Sequence, residues 1–388
     1  MDLYQNGAVS GYKMQSTRFL RKILDSMMDW VRVIDMTGST VYMNKAMRRY
    51  LRQNPCDAEF RETLRQALFR VAAELHGGAL CSAGAAGAGN QEFYQEIKAE
   101  SRVFEVVSSP LKSDAGETEY IVEVFRDVTR LKNLQRTITE QNSKFETDLD
   151  MAKMLQRKLL PNASPNPGIE FNYLYEPCTM LGGDFVDIYN IGSDHLGVYI
   201  ADVSGHGVSA SILTVFLRST ISKRMTSPAE ALNTLYWEYN KNNFESEIYI
   251  TVFYAIYDLK NGILTYSNAG HNATPVLYNK QSRDRQTCLK MPGLPISNWM
   301  EEVTYTERSI PVSAGDVLFL YTDGLSEIKN GDKDMFGQAN VNHVLQSCPD
   351  DNHMASLDYI LKSAYSYADI KDKSMQMDDI TLSLVELV

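Results

Sequence analysis

Ala201-Asp202-Val203-Ser204-Gly205-His206-Gly207 ends an apolar run, Leu196–Asp202, on an aspartate followed by glycines. The run reads as a buried strand with Asp202 at its edge. Four other motifs lie in the same half of the chain: Gly182-Gly183-Asp184-Phe185-Val186-Asp187, Asn268-Ala269-Gly270-His271-Asn272, Tyr321-Thr322-Asp323-Gly324 and Met377-Asp378-Asp379-Ile380-Thr381. Aspartates gathered from distant strand ends repel one another unless a cation lies between them. Carboxylate oxygens are hard donors, suited to Mg²⁺ or Mn²⁺ rather than zinc. Glycine beside them lets backbone and water come close. The pattern points to metal-assisted hydrolysis, with two ions bridged by one carboxylate and a shared water as nucleophile.

In this order, the five motifs resemble those of the metal-dependent protein phosphatases (PPM type), and within them the bacterial SpoIIE/RsbU-like branch. The likeness covers residues 150–388. It implies an α-β-β-α sandwich with the metals at one end of two sheets, acting on phosphoserine or phosphothreonine of small regulatory proteins. Carried over position by position, Asp202 would bridge two ions and the Val203 carbonyl would be a further ligand. Asp323 and Asp378 match ligand positions, and Asp184 matches the acid that holds the second ion directly or through water. The expected catalytic residues are Asp202, Asp184 and Asp323; the expected metal ligands are Asp184, Asp202, Val203, Asp323 and Asp378.

The neighbouring residues have quieter readings. Asp379 is expected to support Asp378 by hydrogen bonds. Asp187 stands between a role at the site and simple solvent exposure. His206 invites a role as general acid, but Ser204 stands where eukaryotic relatives carry their histidine, so a loop brace is the expectation. His271 is expected to bond backbone behind the metals. The arginine that grips phosphate in eukaryotic relatives has no counterpart. Gly182-Gly183-Asp184-Phe185 also resembles the GGDEF signature of diguanylate cyclases, but the acidic fourth residue is missing and the other motifs would go unexplained.

Composition sets bounds on the rest. At 388 residues the chain has room for two domains and a linker, and its 44% hydrophobic content supports sizeable cores. A net charge of −11 argues against nucleic-acid binding. The cysteines (56, 81, 178, 288, 348) are scattered and without CxxC spacing, which suits reduced thiols in a cytoplasm. No run of about 18 apolar residues suggests a membrane span. The first residues lack the basic and apolar regions of a signal peptide.

The fold class expected is α+β in four parts. Residues 1–15 form a tail. Residues 16–126 resemble a PAS sensor domain: strands at Val31–Asp35 and Thr40–Met43, a helix over 58–75, a Gly/Ala-rich loop over 76–90, then strands at 91–99, 102–111 and 119–125. Asp35-Met36-Thr37-Gly38, Asn44 and Arg126-Asp127-Val128-Thr129 carry that likeness. Residues 127–160 read as one helix of about 50 Å, with a heptad seam at Leu131, Leu134, Ile138, Gln141, Phe145, Asp148, Ala152, Leu155 and Leu159. A two-stranded coiled coil, weak at Gln141 and Asp148, is one reading and a spacer helix the other. Residues 161–388 form the phosphatase domain. Strands are expected at 169–176, 185–191, 196–202, 248–259, 264–267, 317–321 and 380–388. Helices are expected at 208–225, 229–240, 341–346 and 354–368.

The resemblance implies a sensor-regulated protein serine/threonine phosphatase with two Mn²⁺ or Mg²⁺ ions. Its substrate would be a phosphorylated STAS-type anti-sigma factor antagonist in a partner-switching pathway. It would act as a cytoplasmic homodimer joined through the linker helix, with neither nucleic acid nor membrane as partner. The competing reading is a catalytically silent scaffold that binds a partner through sensor and coil. The sensor domain's only histidine, His76, makes haem a weak guess for its ligand.

Overall fold

The computed structural model describes residues 18–53, 92–99, 102–205, 207–245, 247–349, 352–372 and 375–387. The chain divides into two compact units at Lys144/Phe145. The expected helix at 58–75, the loop at 76–90, His76, Cys56, Cys81 and His206 lie outside the described residues. No helix of the described residues is long and apolar enough to cross a membrane.

The N-terminal unit is built on one antiparallel sheet ordered β2-β1-β5-β4-β3, from β1 (Trp30–Asp35), β2 (Thr40–Met43), β3 (Phe93–Ala99), β4 (Arg102–Lys112) and β5 (Thr118–Asp127). The β1–β2 turn forms because Asp35 Oδ1 accepts from the backbone N–H groups of Thr37 and Ser39, both at 2.9 Å. Asn44 is buried and ends β2. Its Oδ1 accepts from Val31 N and Met47 N, and its Nδ2 donates to the Leu24 and Asp29 carbonyls. It thereby starts a helix not expected from the sequence, α1 (Lys45–Gln53). Met47 from α1 packs against Phe104, Val106 and Phe125 on one face of the sheet. Arg32 and Glu123, opposite each other on β1 and β5, form a buried ion pair, with Arg32 Nε donating to Glu123 Oε2 at 2.6 Å.

A long helix, α2 (Thr129–Leu159), comes next. Asp127 starts it by accepting from the Thr129 N–H at 3.0 Å. Leu131, Leu134, Ile138, Phe145 and Leu155 of its heptad seam are all exposed.

The C-terminal unit is the expected sandwich. One sheet runs β13-β10-β9-β8-β7, from β7 (Phe185–Ile191), β8 (His195–Val203), β9 (Ile250–Asp258), β10 (Ile263–Ala269) and β13 (Arg308–Pro311). The other runs β12-β11-β14-β15-β6, from β6 (Glu170–Glu176), β11 (Val276–Asn279), β12 (Ser282–Cys288), β14 (Asp316–Tyr321) and β15 (Ile380–Leu387). The two-residue period of β14 sorts the layers. Leu318 and Leu320 join the core shared with the first sheet; Val317, Phe319 and Tyr321 join the core beneath the outer helices. Helices α3 (Val208–Thr220) and α4 (Pro228–Lys241) pack into the first core. A short α5 (Asp323–Ser326), α6 (Gly337–Gln346) and α7 (His353–Tyr367) contribute to the second.

Some expectations need correction. The helix expected over 208–225 ends at Thr220, because Ile221 turns extended with ψ 118°. Ser227 then caps a new helix with Pro228 in its first turn. Strands β11, β12 and β13 were not foreseen. The last two are edge strands, and β12, Ser-Arg-Asp-Arg-Gln-Thr-Cys, has almost no apolar period to read.

Glu123→Ala leaves Arg32 buried without its carboxylate and should destabilise the N-terminal unit by about 3–5 kcal/mol. Hydrogen exchange checks this: β1 and β5 should lose protection while β8 and β9 keep theirs. Unchanged protection in β1 would show the pair to be dispensable.

Candidate metal centre

The aspartates come to one end of the sandwich because the chain segments that carry them finish there. Asp202 is the penultimate residue of β8, Asp184 immediately precedes β7, Asp323 follows β14 and opens α5, and Asp378 and Asp379 precede β15. Glycine makes the approach possible at two points. A Cβ on Gly183 would lie 2.6 Å from the Val203 carbonyl oxygen, and one on Gly324 would lie 1.9 Å from the Asp379 carbonyl oxygen. Each contact is closer than any side chain tolerates, so the β7/β8 and α5/β15 junctions close only on glycine.

The carboxylates repel one another. Burial pushes the Asp202 carboxyl up to about 8, helped by the charges of Asp323, Asp378, Asp379 and Glu327. Asp323 is pushed to about 6 by burial, then by Asp378 and Glu327. Asp184, 1% exposed, is held well above the ordinary carboxylate range by burial and by Asp202 and Asp379. The Thr322 hydroxyl opposes this by donating to Asp184 Oδ2 at 2.7 Å. In turn, Thr322 Oγ1 accepts from Thr381 N at 2.9 Å, locking the ends of β14 and β15 together.

Asp379 differs from its neighbour. It is buried, and its carboxylate is consumed by backbone: Oδ1 accepts from Cys178 N at 2.8 Å and Oδ2 from Gly183 N at 2.6 Å. Asp378 is exposed at the mouth of the cluster. His271 braces the far side. Its Nε2–H donates to the Tyr321 carbonyl at 3.0 Å, and its Nδ1 faces the Thr251 hydroxyl at 3.3 Å. Burial lowers its pKa to about 4, so the ring is neutral. The Thr251 hydroxyl also lies 3.3 Å from the Asp202 carbonyl, so one chain of contacts ties β8, β9 and β14.

Asp187 must be reassigned. It is neither at the cluster nor exposed. It is buried 3.3 Å from Lys223 Nζ and 3.5 Å from Arg218 Nε, a structural anion under the end of α3. Sequence reasoning also missed Glu327, which adds to the negative field at Asp202 and Asp323, and Gln156, which bonds both backbone groups of Gly182. Glu327 stands one turn after Asp323, a spacing that could have flagged it.

The donor set fits hard divalent ions: carboxylates, a backbone carbonyl and no thiol. Asp184, Asp202, Asp323, Asp378 and the Val203 carbonyl are the groups that would hold them. Among the described residues, the one trio offering ligand atoms mutually within 4.8 Å is Glu170, His353 and Glu386, elsewhere on the unit. The aspartates are more open than that. Their spacing suits ions that keep much of their water, as Mg²⁺ does.

Comparison with known proteins agrees with the geometry. The family model for stage II sporulation protein E (SpoIIE) matches residues 192–388, and the PAS fold model matches residues 24–133. Protein IcfG of Synechocystis sp. is 26% identical over 291 residues, covering 66% of this chain and 44% of that protein. Phosphoserine phosphatase RsbP of Bacillus subtilis is 28% identical over 186 residues, covering 46% of this chain and 45% of that protein. The chain thus spans less than half the length of these two curated relatives. Among solved structures, the PP2C domain of SiaA from Pseudomonas aeruginosa superposes with a TM-score of 0.56 at 20% identity, covering 64% of this chain and 98% of that one. The last likeness shows the fold of the C-terminal unit.

If the cluster is a metal site, Mn²⁺ at a hundred times its dissociation constant should stabilise the protein by about 2.7 kcal/mol per ion. Thermal melting with Mn²⁺ and with EDTA reads this directly. Asp→Asn at 184, 202, 323 and 378 together should raise the melting temperature in EDTA, by relieving repulsion, and remove the response to Mn²⁺. A response retained in that variant would place the ions elsewhere.

Proposed function

The chain belongs to the stage II sporulation protein E (SpoIIE) family, and we propose that it is a metal-dependent protein serine/threonine phosphatase governed by its N-terminal PAS-fold domain. The observation that carries this reading is the convergence of Asp184, Asp202, Asp323 and Asp378, with Glu327, at one end of the two sheets. A silent scaffold has no use for several carboxylates whose own repulsion opposes folding.

Two bound ions would supply an activated water and offset the charge that develops on the phosphoryl oxygens. The chain's own residues set the geometry. Asp202 and Asp323 lie within each other's field, and Asp378 stands at the open side of the cluster. Asp184 is fixed by Thr322, and the Gly183 turn by Asp379. His271, neutral and buried behind the strands, positions backbone and does not exchange protons near neutral pH. Tyr249 borders the same carboxylates, and its ring lies 5.2 Å from the exposed Trp299. Together they offer an apolar lip for the peptide around a phosphorylated serine or threonine.

The substrate we infer is a phosphorylated STAS-type anti-sigma factor antagonist in a partner-switching pathway. The relatives named as phosphoserine phosphatases RsbP and RsbU support a phosphoserine substrate. The described cysteines, Cys178, Cys288 and Cys348, form no disulfide, which suits a reducing cytoplasm. A homodimer through α2 is part of the same proposal. Leu131, Leu134, Ile138 and Leu155 leave an apolar seam in water at heptad spacing, and a second copy of the same helix would cover it.

Asp202→Asn and Asp323→Asn should each lower Mn²⁺-dependent turnover of the phosphoprotein at least about a hundredfold, by the loss of ligand charge and geometry, with far-UV circular dichroism unchanged. Near-normal turnover in either at saturating Mn²⁺ would contradict the assignment.

Gln141→Leu with Asp148→Leu should strengthen the seam and raise dimer content in sedimentation. Leu134→Asp with Leu155→Asp should favour monomers. If the coil carries the signal, phosphatase rates of the two variants fall on opposite sides of wild type. Wild-type rate and wild-type dimer content in both would make the helix a passive tether.

A further inference from the structure

The second sheet carries a charge conflict far from the aspartates. Glu170 of β6 and Glu386 of β15 are register partners, so two carboxylates face each other across the ladder. By the strand period they share the face on which Leu382 and Leu384 meet the outer helices. Like charges directly opposite on paired strands weaken a sheet. His353, the first residue of α7, stands between them. Its Nδ1 is 3.6 Å from Glu170 Oε1, and its Nε2 is 3.5 Å from Glu386 Oε2. The strand β15 has 8 residues and spans about 26 Å, with Asp379 before one end and Glu386 near the other. The trio is therefore remote from the aspartate cluster.

The His353 side chain is 5% exposed, yet neither ring nitrogen has a hydrogen-bond partner among the described residues. Buried polar atoms left in that state cost stability and are rare. A neutral ring carries a proton on one nitrogen and a lone pair on the other. The proton can face one glutamate. The lone pair then faces the other, acceptor against acceptor, and a cation is what resolves such a contact. Full charge on the ring is opposed by its place in the fold. Burial lowers its pKa; Glu170 and Glu386 oppose that, while Lys280 and Arg283 add to it. The N-terminal end of α7 is a further positive pole beside the ring.

The other polar groups here are only partly committed to the glutamates. Lys280 Nζ, on the turn between β11 and β12, donates to Glu386 Oε2. Asn172 Nδ2 donates to Glu170 Oε1 at 3.4 Å. Arg283 is engaged elsewhere, with Nη1 donating to the Leu345 carbonyl at 3.2 Å and the guanidinium lying over the Tyr278 ring. Glu170 is half exposed, so the site opens to water on its side.

We propose that Glu170, His353 and Glu386 form a second metal site, selective for Zn²⁺ over Mg²⁺ or Mn²⁺. One ligand atom from each lies within 4.8 Å of the others. An imidazole nitrogen with carboxylate oxygens is a donor set that zinc takes, with water at the open position. Lys280 gives up Glu386 as the ion enters. The ion joins the first turn of α7 to β6 and β15, and so fastens the outer helices to the second sheet. It serves stability and takes no part in turnover.

The test uses the full chain in excess Mg²⁺, with Zn²⁺ binding followed by titration calorimetry and hydrogen exchange followed at 353–360. Zn²⁺ should slow exchange there in wild type. His353→Ala and Glu170→Gln should each weaken Zn²⁺ binding at least about tenfold, since even the outer-shell partners of a metal are worth that much. Glu170→Gln, a half-exposed isosteric change, decides if His353→Ala does not fold. Lys280→Met removes the competing ammonium and should tighten binding several-fold, with turnover of the phosphoprotein unchanged. Asp202→Asn should leave this Zn²⁺ affinity at its wild-type value. The proposal is overturned by wild-type Zn²⁺ affinity in both His353→Ala and Glu170→Gln, or by weaker binding in Lys280→Met. It is equally overturned if Asp202→Asn abolishes all Zn²⁺ uptake, or if wild type takes up none. In either case a proton, not a metal, stands between the glutamates.

Discussion

Mutual repulsion among Asp184, Asp202, Asp323, Asp378 and Glu327 is the constraint around which the C-terminal unit is arranged. The sheets could pack as they do with neutral residues at these strand ends. Instead, burial and like charge push Asp202 to about 8 and Asp323 to about 6, a standing opposition to folding that a cation would remove. The neighbouring structure holds the arrangement against that opposition. Asp379 spends its carboxylate on the Cys178 and Gly183 amides, Thr322 joins Asp184 to β15, and His271 ties three strands. The glycines at 183 and 324 allow the segments to meet, since any Cβ there would collide with a backbone carbonyl.

How much of this could be read from the sequence depends on the range of the interaction concerned. The strands Phe185–Ile191 and Asp316–Tyr321 were legible because an unbroken apolar run between turns has few other uses. The aspartates were legible because acids at strand ends are poorly explained by packing. The expected support of Asp378 by the Asp379 side chain is replaced by bonds from that carboxylate to the Cys178 and Gly183 amides, partners that arrive from some two hundred residues earlier in the chain.

Other features were out of reach for physical reasons. Nothing local to Asp187 shows that Arg218 and Lys223 return to it from the end of α3. The polar β12 is held by its pairing with β11, and its own composition argues against a strand. Gln156 looked like one more polar residue on a solvated helix. Its role exists only once β6 and the Gly182 turn are in place, roughly twenty residues later in the chain. The N-terminal unit shows the same division. The Asp35 turn is local and was readable, while Asn44 acts by reaching the Leu24, Asp29 and Val31 backbone, which no periodicity reveals.

The central claim is that divalent ions sit among these aspartates, and locating the ions tests it most directly. Crystals of the full chain grown with Mn²⁺ and measured at the manganese absorption edge would show where the metal lies. Two anomalous peaks are expected at the end of the sandwich, adjoining the carboxylates of Asp202, Asp323 and Asp378, the Val203 carbonyl and the side of Asp184. Strong peaks only at Glu170, His353 and Glu386, or none beside Asp202, would contradict the claim.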